Sequence, residues 1–171
     1  MSKIDEPADN CINKEIKNED GSYLGSLQLG TTVPCRHGYG LQVYDNGQVY
    51  EGFWENDKRH GEGRMVFNNS DYYQGDWVEG KYEGKGEMIK RDSSYKGEWK
   101  LGKPNGFGVE RSPDGSTYTG NFVDGLKHGN GKFVSSDGYT YNGHFHKGEI
   151  QGNGNIKWED GKEYDGHWKH N

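Results

Sequence analysis

From Tyr23 onward, apolar side chains do not gather into runs; they sit on alternate positions of short stretches separated by polar clusters. Residues two apart in a strand point to the same face. Tyr50, Gly52 and Trp54 therefore share one face, and Gly61, Gly63, Met65 and Phe67 share a face of the next stretch. The segment between them, Glu-Asn-Asp-Lys-Arg-His at 55–60, is polar, contains turn formers and is short enough for a hairpin. No window from Tyr23 onward places apolar residues at the three-to-four spacing that a helix of ten residues needs. The pattern predicts pairs of antiparallel strands.

That pairing recurs. Tyr-x-Gly triplets begin at Tyr50, Tyr73, Tyr95, Tyr118, Tyr141 and Tyr164, at intervals of 23, 22, 23, 23 and 23 residues. Each unit reads Tyr-x-Gly-x-aromatic, a polar stretch, then Gly-x-Gly, a repeat array by any measure. A degenerate copy starts at Tyr23, with Leu27 in the aromatic position and a four-residue insertion. A truncated copy starts at Tyr164. Runs of Asn, Asp, Ser and Gly join the units, with Asp-Gly at 114–115, 137–138 and 160–161 suited to tight turns. An aromatic ring lying over the Gly-x-Gly of the neighbouring strand would fill the trough left by the missing side chains. The expected fold is all-β: an elongated, single-layer antiparallel meander of tandem β-hairpins, right-handedly twisted into a groove.

Composition alone points the other way. Hydrophobic residues are 29% of the chain and mean hydropathy is strongly negative, values typical of disorder. Aromatics at 13%, among them 12 Tyr and 5 Trp, argue for burial. The 29 glycines are tolerable only if the period gives each a place.

The repeated Tyr-x-Gly-x-Trp strand followed by Gly-x-Gly resembles the MORN (membrane occupation and recognition nexus) repeat, and the resemblance runs from Tyr23 to Trp168. Departures are Leu27, Asn105 and Gln151 in place of consensus aromatic or His, and Phe122 and Phe145 in place of Trp. The resemblance implies an elongated sheet found in scaffold, ciliary and membrane-junction proteins, and a free-standing array implies a structural component of a ciliary (axonemal) or other cytoskeletal assembly.

Residues 1–20 hold six acids and three lysines with no apolar run, and are expected to be an acidic, disordered tail preceding an array over 21–171. Nothing there reads as a signal or transit peptide. Two cysteines, Cys11 and Cys35, suit a reducing compartment, so a cytoplasmic protein is expected.

Catalytic readings compete poorly with the repeat. No Gly-x-Gly carries the third glycine of a dinucleotide fingerprint or opens a helix. His37, His60 and His128 are consensus residues before the glycine pair, and His144, His146 and His167 lack the Cys or acidic partners of a closed metal site. Neither an enzyme, a metal nor a cofactor is expected. With 21 basic and 27 acidic residues giving −6, nucleic acid is excluded as a partner. Lysines at 58, 81, 103, 127 and 147 recur in the hairpin turns, which keeps a peripheral membrane tether to anionic phospholipids as the alternative, but acids share those turns.

A single layer has nothing to cover its apolar face. Tyr50, Trp54, Tyr73, Trp77, Tyr95, Trp99, Tyr118, Phe122, Tyr141 and Phe145 would stand in columns, partly buried by one another and partly exposed. Exposed apolar strips mark interaction sites, and rings make low-entropy anchors. Those ten positions are assigned to docking an extended or helical segment of another protein. The strand at Tyr164, His167 and Trp168 has one unpaired side, an edge that invites homodimerisation.

Overall fold

The computed structural model describes residues 11–30 and 33–169, and among them contains strands and turns but no helix. The strands are β1 (Cys11–Asn18), β2 (Gly21–Gln28) and β3 (Cys35–Tyr44), then the hairpins β4 (Val49–Glu55) with β5 (Lys58–Val66) and β6 (Tyr72–Val78) with β7 (Lys81–Ile89). β8 (Ser94–Lys100) with β9 (Lys103–Arg111), β10 (Thr117–Val123) with β11 (Leu126–Val134), β12 (Thr140–His146) with β13 (Glu149–Lys157), and β14 (Glu163–Trp168) complete it. All fourteen lie in one sheet in chain order, each antiparallel to the next. The all-β meander expected from the period is the fold.

The turns explain both the register and the one irregular interval. Within repeats, Glu79-Gly80, Leu101-Gly102, Asp124-Gly125 and Lys147-Gly148 have positive φ at both central residues, as does Asn56-Asp57. This is the type I′ geometry whose twist matches that of the flanking strands. The turn is thus two residues, tighter than the six-residue connection read from the sequence, and His37, His60 and His128 fall in strands instead. Between repeats, turns such as Ser112–Ser116 close with Ser112 N donating to Ser116 O at 2.9 Å. The turn closed by Lys90 N and Ser93 O at 2.8 Å is one residue shorter. It produces the interval of 22.

Cys11–Asn18 lies inside the expected tail, yet it pairs along its whole length with β2. Ile16 stands opposite Tyr23 and packs against the core, a signal too sparse among charges to read from the sequence. Residues 1–10 lie outside the described residues. Cys11 and Cys35 both face Gln28, one from each side. Strands two apart are about 9.6 Å from one another, too far for a disulfide, and both thiols are free.

The two glycines of each Gly-x-Gly do different jobs. Gly52 pairs with Gly63 and Trp54 with Arg59, so between them β5 carries two extra residues opposite Phe53. Gly61 supplies the left-handed turn of this bulge, with φ of 63°. Gly63 instead lies beneath the Tyr50 ring: a Cβ there would stand 2.6 Å from Cζ. The same division holds in the repeats that follow.

The bulge withdraws a ladder partner from Phe53, and Tyr50 replaces it. Its hydroxyl donates to Phe53 O at 2.9 Å. Tyr23, Tyr73, Tyr95, Tyr118 and Tyr141 likewise donate to the carbonyl three residues on, at 2.9 to 3.3 Å. The repeat's tyrosine therefore joins ring packing to backbone satisfaction, which is why a phenol rather than a phenyl recurs.

Candidate functional site

The ten ring positions singled out from the sequence are between 0 and 6% exposed. Each tyrosine meets the aromatic of its own unit and of the next edge-on: Tyr73 to Trp77 at 5.2 Å and to Trp99 at 5.3 Å, Tyr118 to Phe122 at 5.1 Å and to Phe145 at 4.9 Å. Where the unit carries Trp, the indole N–H also donates to the glycine carbonyl of the preceding repeat, as Trp77 does to Gly63 O at 3.1 Å. Phe122 and Phe145 forgo that bond.

A further set of residues, which the sequence reading missed, covers the rings. They stand opposite the unit's aromatic: Arg59 against Trp54, Tyr82 against Trp77, Pro104 against Trp99, Lys127 against Phe122 and Ile150 against Phe145. Arg59 also reaches the next repeat, its guanidinium 4.5 Å above Trp77, and Arg36 sits 4.1 Å above Trp54. Tyr82 stacks on Tyr73 at 3.9 Å. The expected exposed strip of rings is therefore absent from this face; the columns form the core, because long side chains from the neighbouring strand close over them.

Burial shows in the phenols. Desolvation raises Tyr23, Tyr95 and Tyr118 to about 12, and raises Tyr50, Tyr73 and Tyr141 as well.

The opposite face is uncovered. Between β3 and β9 it forms a groove of about 980 Å³ whose floor is the backbone of Gly52, Gly63, Gly75, Gly86 and Gly97. The residues before and after each glycine make the walls. Tyr39 and Phe53 meet edge-on at 5.4 Å at one end, and Phe107 marks the other; about half of each of these three side chains is exposed. Tyr39 donates its hydroxyl to Glu51 at 2.8 Å, and that carboxylate raises the phenol above its ordinary value. Asp76 accepts the Lys85 backbone N–H at 2.9 Å. Beyond β9 the same face becomes amide-rich, with Asn121, Asn130, Asn142 and Asn153 exposed.

The remaining sequence candidates fall elsewhere. On β14, Tyr164 is 46% exposed, His167 Nδ1 lies 3.1 Å from Asn153 Oδ1, and the Trp168 N–H donates to Gly154 O at 3.0 Å. Trp168 thus packs against the core columns, while Tyr164, edge-on to Trp168 at 5.3 Å, ends them uncovered. His128 lies 6.4 Å from His144 and 5.1 Å from His146, ring to ring, but no three His, Cys, Asp or Glu among the described residues are placed to hold a metal. In the hairpin turns, Lys58 pairs with Glu79, and Lys127 pairs with Glu110 at 2.9 Å. Among the described residues no helix is long and apolar enough to cross a membrane.

The model of one family, the MORN repeat, matches residues 36–49, 50–72, 73–94, 95–117, 118–138 and 141–163. Among solved structures the chain is similar to the TCP domain of SAS-4 (dCPAP) of Drosophila melanogaster, in complex with a proline-rich motif of Ana2 (dSTIL). Identity there is 13%, with 99% of this chain and 96% of that one covered and a TM-score of 0.48. No curated protein matches the chain at a significant level.

Proposed function

The chain belongs to the MORN repeat family, and from that premise we propose that it is a non-enzymatic protein-interaction scaffold that docks a segment of another protein. The observation that carries this reading is the groove between β3 and β9. Its aromatic side chains are exposed although the repeat does not require them, since Tyr39, Phe53 and Phe107 occupy the variable positions beside the consensus glycines. The rings of the repeat hold the groove's glycine floor in place from behind and take no direct part in docking.

The ring columns are unsuitable targets for a test, because truncating Trp77 or Trp99 removes core. The informative variant is Phe53→Ser with Phe107→Ser, both on the exposed face. Affinity capture from native cells should recover a protein partner with the wild type and lose it with this variant, at unchanged thermal stability. Equal recovery by both would refute docking in the groove.

The setting we propose with it, a cytoplasmic ciliary or cytoskeletal assembly, rests on the company MORN repeats keep and is tested by imaging the tagged protein in ciliated cells. Membrane tethering is disfavoured because the turn lysines at 58 and 127 are neutralised by Glu79 and Glu110. Salt-sensitive flotation with anionic liposomes would reverse that preference.

A further inference from the structure

Resting on the docking reading above, the geometry points to a partner of one chemistry: we propose that the groove takes an extended, net-basic polypeptide segment carrying an apolar side chain at each end of about seven residues.

Length and conformation follow from the sheet. Phe53 on β4 and Phe107 on β9 are five strands apart, about 24 Å at the usual strand spacing, a span that about seven extended residues cover. The walls are set by residues on either side of one glycine, about 6.8 Å apart along a strand. A helix with its side chains is about 10–12 Å across. An extended chain fits between such walls and a helix does not. The floor is backbone already paired within the sheet, so the segment lies across the strands and is recognised by side chains, not by strand addition.

Charge sets the composition. Carboxylates line the groove at Glu51, Glu62, Asp76, Glu87 and Glu98, against cations at Arg64, Lys85 and Lys96. Arg64 is engaged with the Tyr72 ring, 4.5 Å away, and Lys96 with Glu87 at 3.8 Å. Glu87 is the one groove acid with an ion pair among the described residues. Glu62 and Asp76 are direct cross-strand partners, an arrangement of like charges that destabilises a sheet. A lysine or arginine laid over that pair relieves it. The exposed rings of Phe53 and Phe107 then receive the apolar ends.

The test is a fluorescence-anisotropy titration of the full chain with three labelled peptides of about seven residues, whose two end residues share a face in an extended chain. All have leucine at both ends, and their interiors alternate alanine with lysine, serine or glutamate. The lysine peptide should bind at least about tenfold more tightly than the serine peptide, the glutamate peptide should be weakest, and salt should erode the difference. Glu62→Lys, which sets an opposite charge against Asp76, should remove the lysine preference, about a tenfold loss or more, without lowering the melting temperature. Phe53→Ser with Phe107→Ser should weaken all three peptides together.

Equal binding of lysine and serine peptides, or preference for glutamate, would overturn the charge assignment while leaving the groove a docking site. Failure of the lysine peptide to bind, with native capture still lost in the Phe53/Phe107 variant, would overturn this partner chemistry alone. Native capture that survives that variant would bring down the docking reading itself.

Discussion

Replacing Tyr73 by Phe isolates the bond on which the repeat's geometry depends. The ring is fully buried, and it packs against Trp77, Tyr82 and Trp99, all of which a phenyl would keep. What disappears is the hydroxyl that donates to Asp76 O at 3.0 Å. Asp76 is the residue skipped in the β6–β7 register, so β7 offers no replacement donor. A hydrogen bond contributes about 0.5–1.5 kcal/mol net, and a buried acceptor left unpaired costs about 1–3 kcal/mol. The expected loss is about 1.5 kcal/mol, which at this chain length lowers Tm by about 3–6 °C. Urea unfolding followed by tryptophan fluorescence, alongside thermal melts, reads both quantities. Tyr164→Phe is the control: its hydroxyl makes no such bond among the described residues and its side chain is exposed. That variant should stay within about 0.5 kcal/mol of the wild type, as surface changes do. The Tyr73 effect should add to that of Tyr118→Phe, two repeats away, because stability in such arrays is a sum over neighbours. Indistinguishable melts for the Tyr73 and Tyr164 variants would refute the reasoning.

Gly86→Ala places a Cβ 2.6 Å from Cζ and 2.7 Å from Cε2 of the Tyr73 ring, and overpacking of this kind should cost about 3 kcal/mol in the same urea assay. Leu101 holds a left-handed backbone with φ of 51° at the first position of a type I′ turn while 65% exposed. Leu101→Asn should therefore raise stability by about 0.5–1 kcal/mol, and a neutral or negative result would show that the side chain has contacts which outweigh the strain. The buried tyrosines ionise at higher pH in the folded chain than the ordinary value of 10.0, three of them near 12. The unfolded chain thus loses those protons first, so stability should hold below pH 10 and fall steeply from there towards 12, with tyrosinate absorbance rising as the fold is lost. Titration of these phenols without unfolding would contradict their burial.

Much of the fold is legible in the chain. The period of Tyr-x-Gly places every strand from Tyr23 onward, and parity alone puts Tyr50 and Trp54 on one face with Gly52. What parity cannot convey is which face is filled. The covering side chains at 36, 59, 82, 104, 127 and 150 are Arg, Arg, Tyr, Pro, Lys and Ile, a column with no common residue type and therefore no signal, although each is long or rigid enough to lie over a ring. Without them the ring columns look exposed, although all ten are buried. The Gly-x-Gly pairs mislead in a similar way, because a glycine needed for a left-handed bulge and one needed beneath a ring are the same letter. The strand at Cys11–Asn18 escapes notice since, among its described side chains, Ile16 alone packs against the core.

Each tyrosine is closed off by the indole or phenyl of the repeat that follows, never of the one before, so the ribbon has a direction. One end of any unit presents an unsheathed phenol and the other a protruding ring, like tongue and groove in floorboards. Spare copies of the 23-residue unit spliced between existing ones in the same orientation should join without new interfaces, lengthening the groove by two strands at a time. A unit joined in reverse would set tongue against tongue.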